Sequence, residues 1–173
     1  MKALILAALI ALPLSGFAAN IQIQTPSGQP ILTSANALTD ATYLWSYGIY
    51  SGFDTSSFAA IQADFTDIAT SATSGTSIDA NGELNYFEAG VFGFDGQTPS
   101  ILIYSADESE YALVTGVAPI LPFGTSQIVI DPAGAPAVVG SYNGAGSLQL
   151  IPEPTSALFV ALTGLVALRR RRK

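Results

Sequence analysis

From Asn20 to Leu150 the chain has no lysine, arginine or histidine, and this absence excludes whole classes of function. Without cations the segment cannot neutralise phosphates, which disfavours nucleic-acid binding and attraction to an anionic membrane surface. Nucleophilic triads, Schiff bases, phosphate clamps and imidazole metal sites all lack their residues. Cysteine is missing from the entire sequence. That removes disulfide scaffolds, thiol catalysis and zinc–thiolate sites, and leaves the redox compartment open, since an exported domain of this size can be stable without bridges. No Asn-x-Ser/Thr sequon occurs, so N-glycosylation is not indicated, whereas dense Ser and Thr leave O-glycosylation open.

The charge present in that segment is acidic: Asp40, Asp54, Asp64, Asp67, Asp79, Glu83, Glu88, Asp95, Asp107, Glu108, Glu110 and Asp131. With no internal ion pairs to form, each must be exposed, bound to backbone or hydroxyl donors, or coordinated to a divalent cation. Two chemistries survive the inventory, a carboxylate pair for glycoside hydrolysis and calcium binding. The first needs a cleft lined with sugar-binding groups, and acids on a small domain are better read as a solvated surface. For calcium, Asp107-Glu108-x-Glu110 is the densest cluster and Asp64 with Asp67 the next, but neither matches the Asp-x-Asp-x-Asp-Gly loop with its distal Glu. The expectation is a non-enzymatic body with no cofactor and no metal site, its acids serving solubility, with weak divalent bridging to an acidic polysaccharide left open.

All six basic residues lie at the two ends, Lys2 at the front and Arg169 to Lys173 at the back. The front runs from Lys2 through an apolar stretch, Ala3 to Leu12, to Pro13, Ser15 and Gly16, which is the order of a secretory signal peptide over residues 1–19. Small side chains at Gly16 and Ala18 suit a peptidase, so cleavage is expected after Ala18, with Ala19 the next choice. The apolar run is well short of the ~20 residues that a spanning helix needs.

The back, residues 151–173, has three parts in order. Pro152, Glu153 and Pro154 come first; the prolines remove two backbone donors and bias the peptide to an extended form, suited to a processing enzyme's cleft. Then comes an uncharged apolar stretch: Ala157, Leu158, Phe159, Val160, Ala161, Leu162, Thr163, Gly164, Leu165, Val166, Ala167 and Leu168. As a helix it covers about 18 Å, short of the ~30 Å hydrocarbon core, and so makes a marginal transmembrane anchor. Arg169, Arg170, Arg171, Arg172 and Lys173 close the chain as a basic stop and keep that end cytoplasmic.

This three-part end resembles the PEP-CTERM sorting domain of exopolysaccharide-producing Gram-negative bacteria, over residues 151–173 only. The resemblance implies recognition by an exosortase, a membrane transpeptidase-like enzyme that removes the tail near Pro-Glu-Pro and passes the protein to the exterior. Glu153 and its flanking prolines are then substrate determinants without a catalytic part. Implied partners are exosortase and signal peptidase, the inner membrane transiently through the C-terminal helix, and exopolysaccharide. The implied route runs from an inner-membrane-anchored precursor to the cell surface or the extracellular matrix of a biofilm. An ordinary tail anchor is the competing reading, but a permanent anchor has no need of Pro-Glu-Pro.

Residues 20–150 read as one mainly β domain, a small β-sandwich or β-sheet with one packed α-helix. Ile21 to Gln24 alternates with period two, and Thr42 to Phe53 carries Tyr43, Trp45, Tyr47 and Tyr50. Leu84 to Phe94 lies between the turn dipeptides Asn81-Gly82 and Asp95-Gly96. Further strands are expected at Ser100 to Ser105, Glu110 to Thr115, Gln127 to Ile130, Ala137 to Tyr142 and Ser147 to Ile151. Phe58, Ile61, Phe65, Ile68 and Ala72 fall on one helical face, predicting a helix from about Ser57 to Ala69, capped at Asp54 to Ser57, with Gly75 beyond its end. The aromatics of Thr42 to Phe53 read as core; exposed, they would stack on sugar rings, which makes a small extracellular carbohydrate-binding module the alternative function. The stretch Tyr47 to Phe53 and the strand Ile101 to Tyr104 are also loosely similar to small secreted domains that precede such tails, a likeness that implies a fold and no chemistry.

Overall fold

The computed structural model describes residues 19–154 apart from Phe92 and Phe123. Within them the chain is mainly β, with eleven strands and two short helices. A three-stranded sheet is built from β1 (Ala19–Gln24), β4 (Asn85–Val91) and β7 (Gly124–Val129), in the order β4-β1-β7. A six-stranded sheet contains β2 (Tyr43–Tyr50), β3 (Phe65–Thr70), β5 (Ser100–Ser105) and β6 (Glu110–Thr115), in the order β6-β5-β2-β3. Along the free side of β6 lie β8 (Ala137–Val139) and β11 (Ile151–Pro152), and β9 (Ser141–Tyr142) pairs with β10 (Leu148–Gln149) as a separate ribbon. The segment Ala137 to Tyr142 divides at Gly140, whose φ of 91° breaks the strand.

The alternation of β1 explains the main core. Ala19, Ile21 and Ile23 face inward and meet Trp45, Tyr47, Ile101, Ile103, Ala112 and Val114 of the larger sheet in one hydrophobic cluster. β5 and β6 are buried on both faces, which is why they read as unbroken apolar runs. Their outward residues Leu102, Tyr111 and Leu113 form a second, smaller cluster with Phe58, Ile61 and Val139. The helix α1 (Phe58–Ala63) supplies the cover for that outer face.

The expected helix to Ala69 is corrected. α1 stops at Asp64, and Phe65–Thr70 is a strand antiparallel to β2, followed by the four-residue helix α2 (Ser71–Ser74). Both punctuation signals are used, but by different helices: Ser57 caps α1 by accepting the Ala60 N–H at 3.1 Å, and Gly75 ends α2 at φ 67°. The helical spacing is not used in β3: alternation along the strand puts Phe65 and Ile68 on opposite faces of the sheet, and Ala72 is exposed. Tyr47 opposes Ala69 and Gly48 opposes Asp67, leaving Ile68 unopposed in a bulge. Gly48 permits this approach of β3, since a Cβ there would collide with the Thr66 carbonyl and lie 2.7 Å from the Phe65 ring.

Candidate functional site

The outer face of the larger sheet is wider than α1. Beside the helix it opens into a pocket of about 150 Å³. Leu44 and Ser46 of β2 and Leu102 and Tyr104 of β5 form its floor. Gln62 of α1, Phe65 and Asp67 of β3, and Thr70, Ser71 and Ala72 wall it. Alternation along β3 puts Asp67 on the same side as Phe65, and the bulge at Ile68, by displacing one residue, brings Thr70 to that side as well. The phenol ring of Tyr104 is held by Phe58, their centroids 4.9 Å apart at 45°. A second depression, about 200 Å³, adjoins across Leu44, Ser71 and Ala72 and runs toward Tyr43 and Thr76.

The carboxylates fall into those tied to hydrogen-bond donors and those without a partner among the described residues. Asp40 accepts from the Thr42 N–H and hydroxyl, Asp54 from Ser56, Asp79 from Asn81 and Glu83, and Asp131 from Ala133 and Gly134. These are turn-forming contacts with backbone and hydroxyl donors. They hold Asp40, Asp54 and Asp79 below the ordinary carboxylate value, through Thr42, Ser56 and Glu83 respectively. The dense Asp107-Glu108-x-Glu110 cluster disperses into separate tasks. The hydroxyls of Ser105 and Ser109 bring Asp107 down to about 2. Glu108 occupies a left-handed turn position at φ 59°, and Glu110 accepts from the Tyr43 hydroxyl and, at 2.6 Å, from the Ser34 N–H. Among the described residues no three potential metal ligands converge. Asp67, like Asp64, Glu83, Asp95 and Glu108, has no side-chain hydrogen-bond partner among the described residues; of these it is the one that lines the pocket.

Of the residues singled out for sorting, Pro152, Glu153 and Pro154 lie within the described chain, and the first two are docked on the body while Pro154 is exposed. Ile151 and Pro152 pair with Tyr111 and Glu110; a proline is tolerated there because β11 is a short strand at the sheet's margin. The Glu153 N–H donates to the Ser109 carbonyl at 2.7 Å, and its carboxylate accepts the Phe58 N–H at 3.0 and 3.3 Å. Phe58 opens α1, so a residue far along the chain satisfies one of the helix's free N–H groups with a negative charge. The fold thus reaches three residues into the segment assigned to the tail. Beneath this contact the Tyr111 hydroxyl is buried without a partner, and desolvation, then the Glu153 charge, pushes it up to about 12. Ala19 is fully buried in β1. Ala18, the helix Ala157 to Leu168 and the basic stop Arg169 to Lys173 lie outside the described residues, within which no helix is long and apolar enough to cross a membrane.

The aromatic stretch is divided: Trp45 and Tyr47 are core, Tyr43 and Tyr50 are half-buried, and Phe53 at its end is fully exposed. Trp45 and Tyr47 are fully buried, Trp45 tilts against Tyr86 at 4.9 Å, and its Nε1 donates to the Thr76 carbonyl at 3.0 Å. The residues that do line the pocket, Gln62, Asp67 and Tyr104 above all, carry no motif; only the parity of β2, β5 and a bulged β3 brings them together. Compared with family models, curated proteins and solved structures, the chain matches none.

Proposed function

We propose that the chain is an exported bacterial surface or matrix protein, sorted by an exosortase and serving a non-enzymatic role with exopolysaccharide. The observation that carries this is the order of its ends: a short signal segment at the front, and Pro152-Glu153-Pro154, a short apolar stretch and five cations at the back, around a body without a single cation. Burial of Ala19 favours cleavage after Ala18, which keeps the first rung of β1. Both described hydrophobic clusters draw their members from Ala19 to Ile151, so a cut beyond Pro154 takes nothing from either. On this reading the enzyme meets its motif docked on β6 and has to lift residues 151–153 before reading them.

Mass spectrometry of the protein from culture medium tests the route. The expected species begins at Ala19 and lacks Arg169 to Lys173; an intact tail in the inner membrane of a strain with active exosortase overturns it. The second reading, a small carbohydrate-binding module, is favoured by the pocket beside α1. That pocket holds one carboxylate, Asp67, whereas glycoside hydrolysis uses two flanking the scissile bond.

A further inference from the structure

We infer that the pocket beside α1 is a binding site for a single pyranose ring of a neutral glycan, with Asp67 and Gln62 as its hydrogen-bonding pair. The inference deepens the carbohydrate-binding reading and rests on it. At about 150 Å³, the pocket has room for roughly five waters at ~30 Å³ each. It falls below the ~300 Å³ at which drug-sized ligands begin, which suits one sugar ring.

Elimination and complementarity both point to that ligand. An anionic ligand would meet Asp67 and no cation, because the body has none. A divalent cation would find one carboxylate where it needs several. A purely apolar ligand would bury Gln62 and Asp67 without partners. A neutral polyol satisfies all of these: the Asp67 carboxylate accepts two hydroxyls, the Gln62 amide donates and accepts, and the Phe65 and Tyr104 rings offer apolar area to the C–H face of the sugar. The two polar groups are also uncommitted. Neither side chain has a hydrogen-bond partner among the described residues, and Asp67 is the one unpartnered carboxylate that lines the pocket. The adjoining depression past Ser71 leaves the glycan a path out of the pocket.

The test is a titration of the ¹⁵N-labelled full chain, in detergent micelles, with D-glucose, D-galactose, D-mannose and N-acetylglucosamine, alongside D-glucuronate. At least one neutral sugar is expected to bind with a Kd of order millimolar and to shift amides of Phe65, Asp67 and Tyr104. Asp67→Ala is expected to weaken binding about tenfold and Gln62→Ala by a few fold, with unchanged thermal unfolding, as suits two exposed side chains. Glucuronate is expected to bind more weakly than glucose, and Asp67→Asn to narrow that gap. No shift by any neutral sugar, or shifts that survive Asp67→Ala and Gln62→Ala, overturns the inference. The sorting reading stands or falls separately, on the masses at the two ends.

Discussion

The two faces of the larger sheet are built from the same strands and closed in different ways. The inner face is covered by a whole second sheet, so that Trp45, Tyr47, Ile101 and Ile103 sit in one large cluster. The outer face has a six-residue helix, α1, held by Ser57 at its start and by Glu153 from the far end of the chain. The difference teaches where this molecule can spare order for function. A cover too small for its sheet leaves a pocket, and a cover pinned by Glu153 couples the Pro152-Glu153-Pro154 segment to the body.

Large-to-small substitutions test the contrast most strongly. Trp45→Ala is expected to cost about 4 kcal/mol and Phe58→Ala about 3 kcal/mol, read from denaturant midpoints. Costs in the reverse order would mean that the outer cover is the better packed. Alkaline unfolding gives a second comparison. Burial raises Tyr47 of the inner face, and Tyr86 and Tyr142 packed against the same cluster, above their ordinary value of 10.0, and Tyr111 on the outer face to about 12. The folded chain thus keeps protons that the unfolded chain releases. Stability is intact below pH 10 and falls as pH rises through the folded values. Thermal melts should decline with pH above 10, and Tyr111→Phe should make that decline shallower while leaving most of it.

Loosening the dock without touching Pro-Glu-Pro sharpens the comparison further. Ile151 is half-buried against the outer cluster, so Ile151→Ala should cost about 1 to 2 kcal/mol. It should also speed loss of the C-terminal tail in a pulse-chase, and slower processing would show that the docked form is the one the enzyme reads. The smallest effect is expected from Tyr111→Phe below pH 9. Removing a buried, unpartnered hydroxyl should raise stability by up to about 1 kcal/mol, and a loss would reveal a partner that the hydroxyl makes in solution.

Much of the strand inventory was legible because each signal was local. Ser100 to Ser105 and Glu110 to Thr115 are the strands β5 and β6 to the residue, and Gly82 and Gly96 of the two turn dipeptides take φ of 74° and 76°. The Ser57 to Ala69 segment failed for the opposite reason. Its apolar spacing fits a helix, but pairing of β3 with β2 outweighs local preference after Asp64 and sends Phe65 and Ile68 to opposite faces. The pocket is not legible at all, since along the sequence Asp67 pairs only with Asp64 as an acidic cluster and its pocket neighbours come from other elements.

Composition and order alone determined the acidic, cation-free body, the β-rich character and the three-part chain end, because these depend on residue type and short-range spacing. Tertiary structure decided which carboxylates are occupied, which face of β3 meets the pocket and that Glu153 caps a helix ninety-five residues earlier in the chain. Those outcomes depend on strand register and on where distant segments meet, and a one-residue shift in pairing reverses the faces.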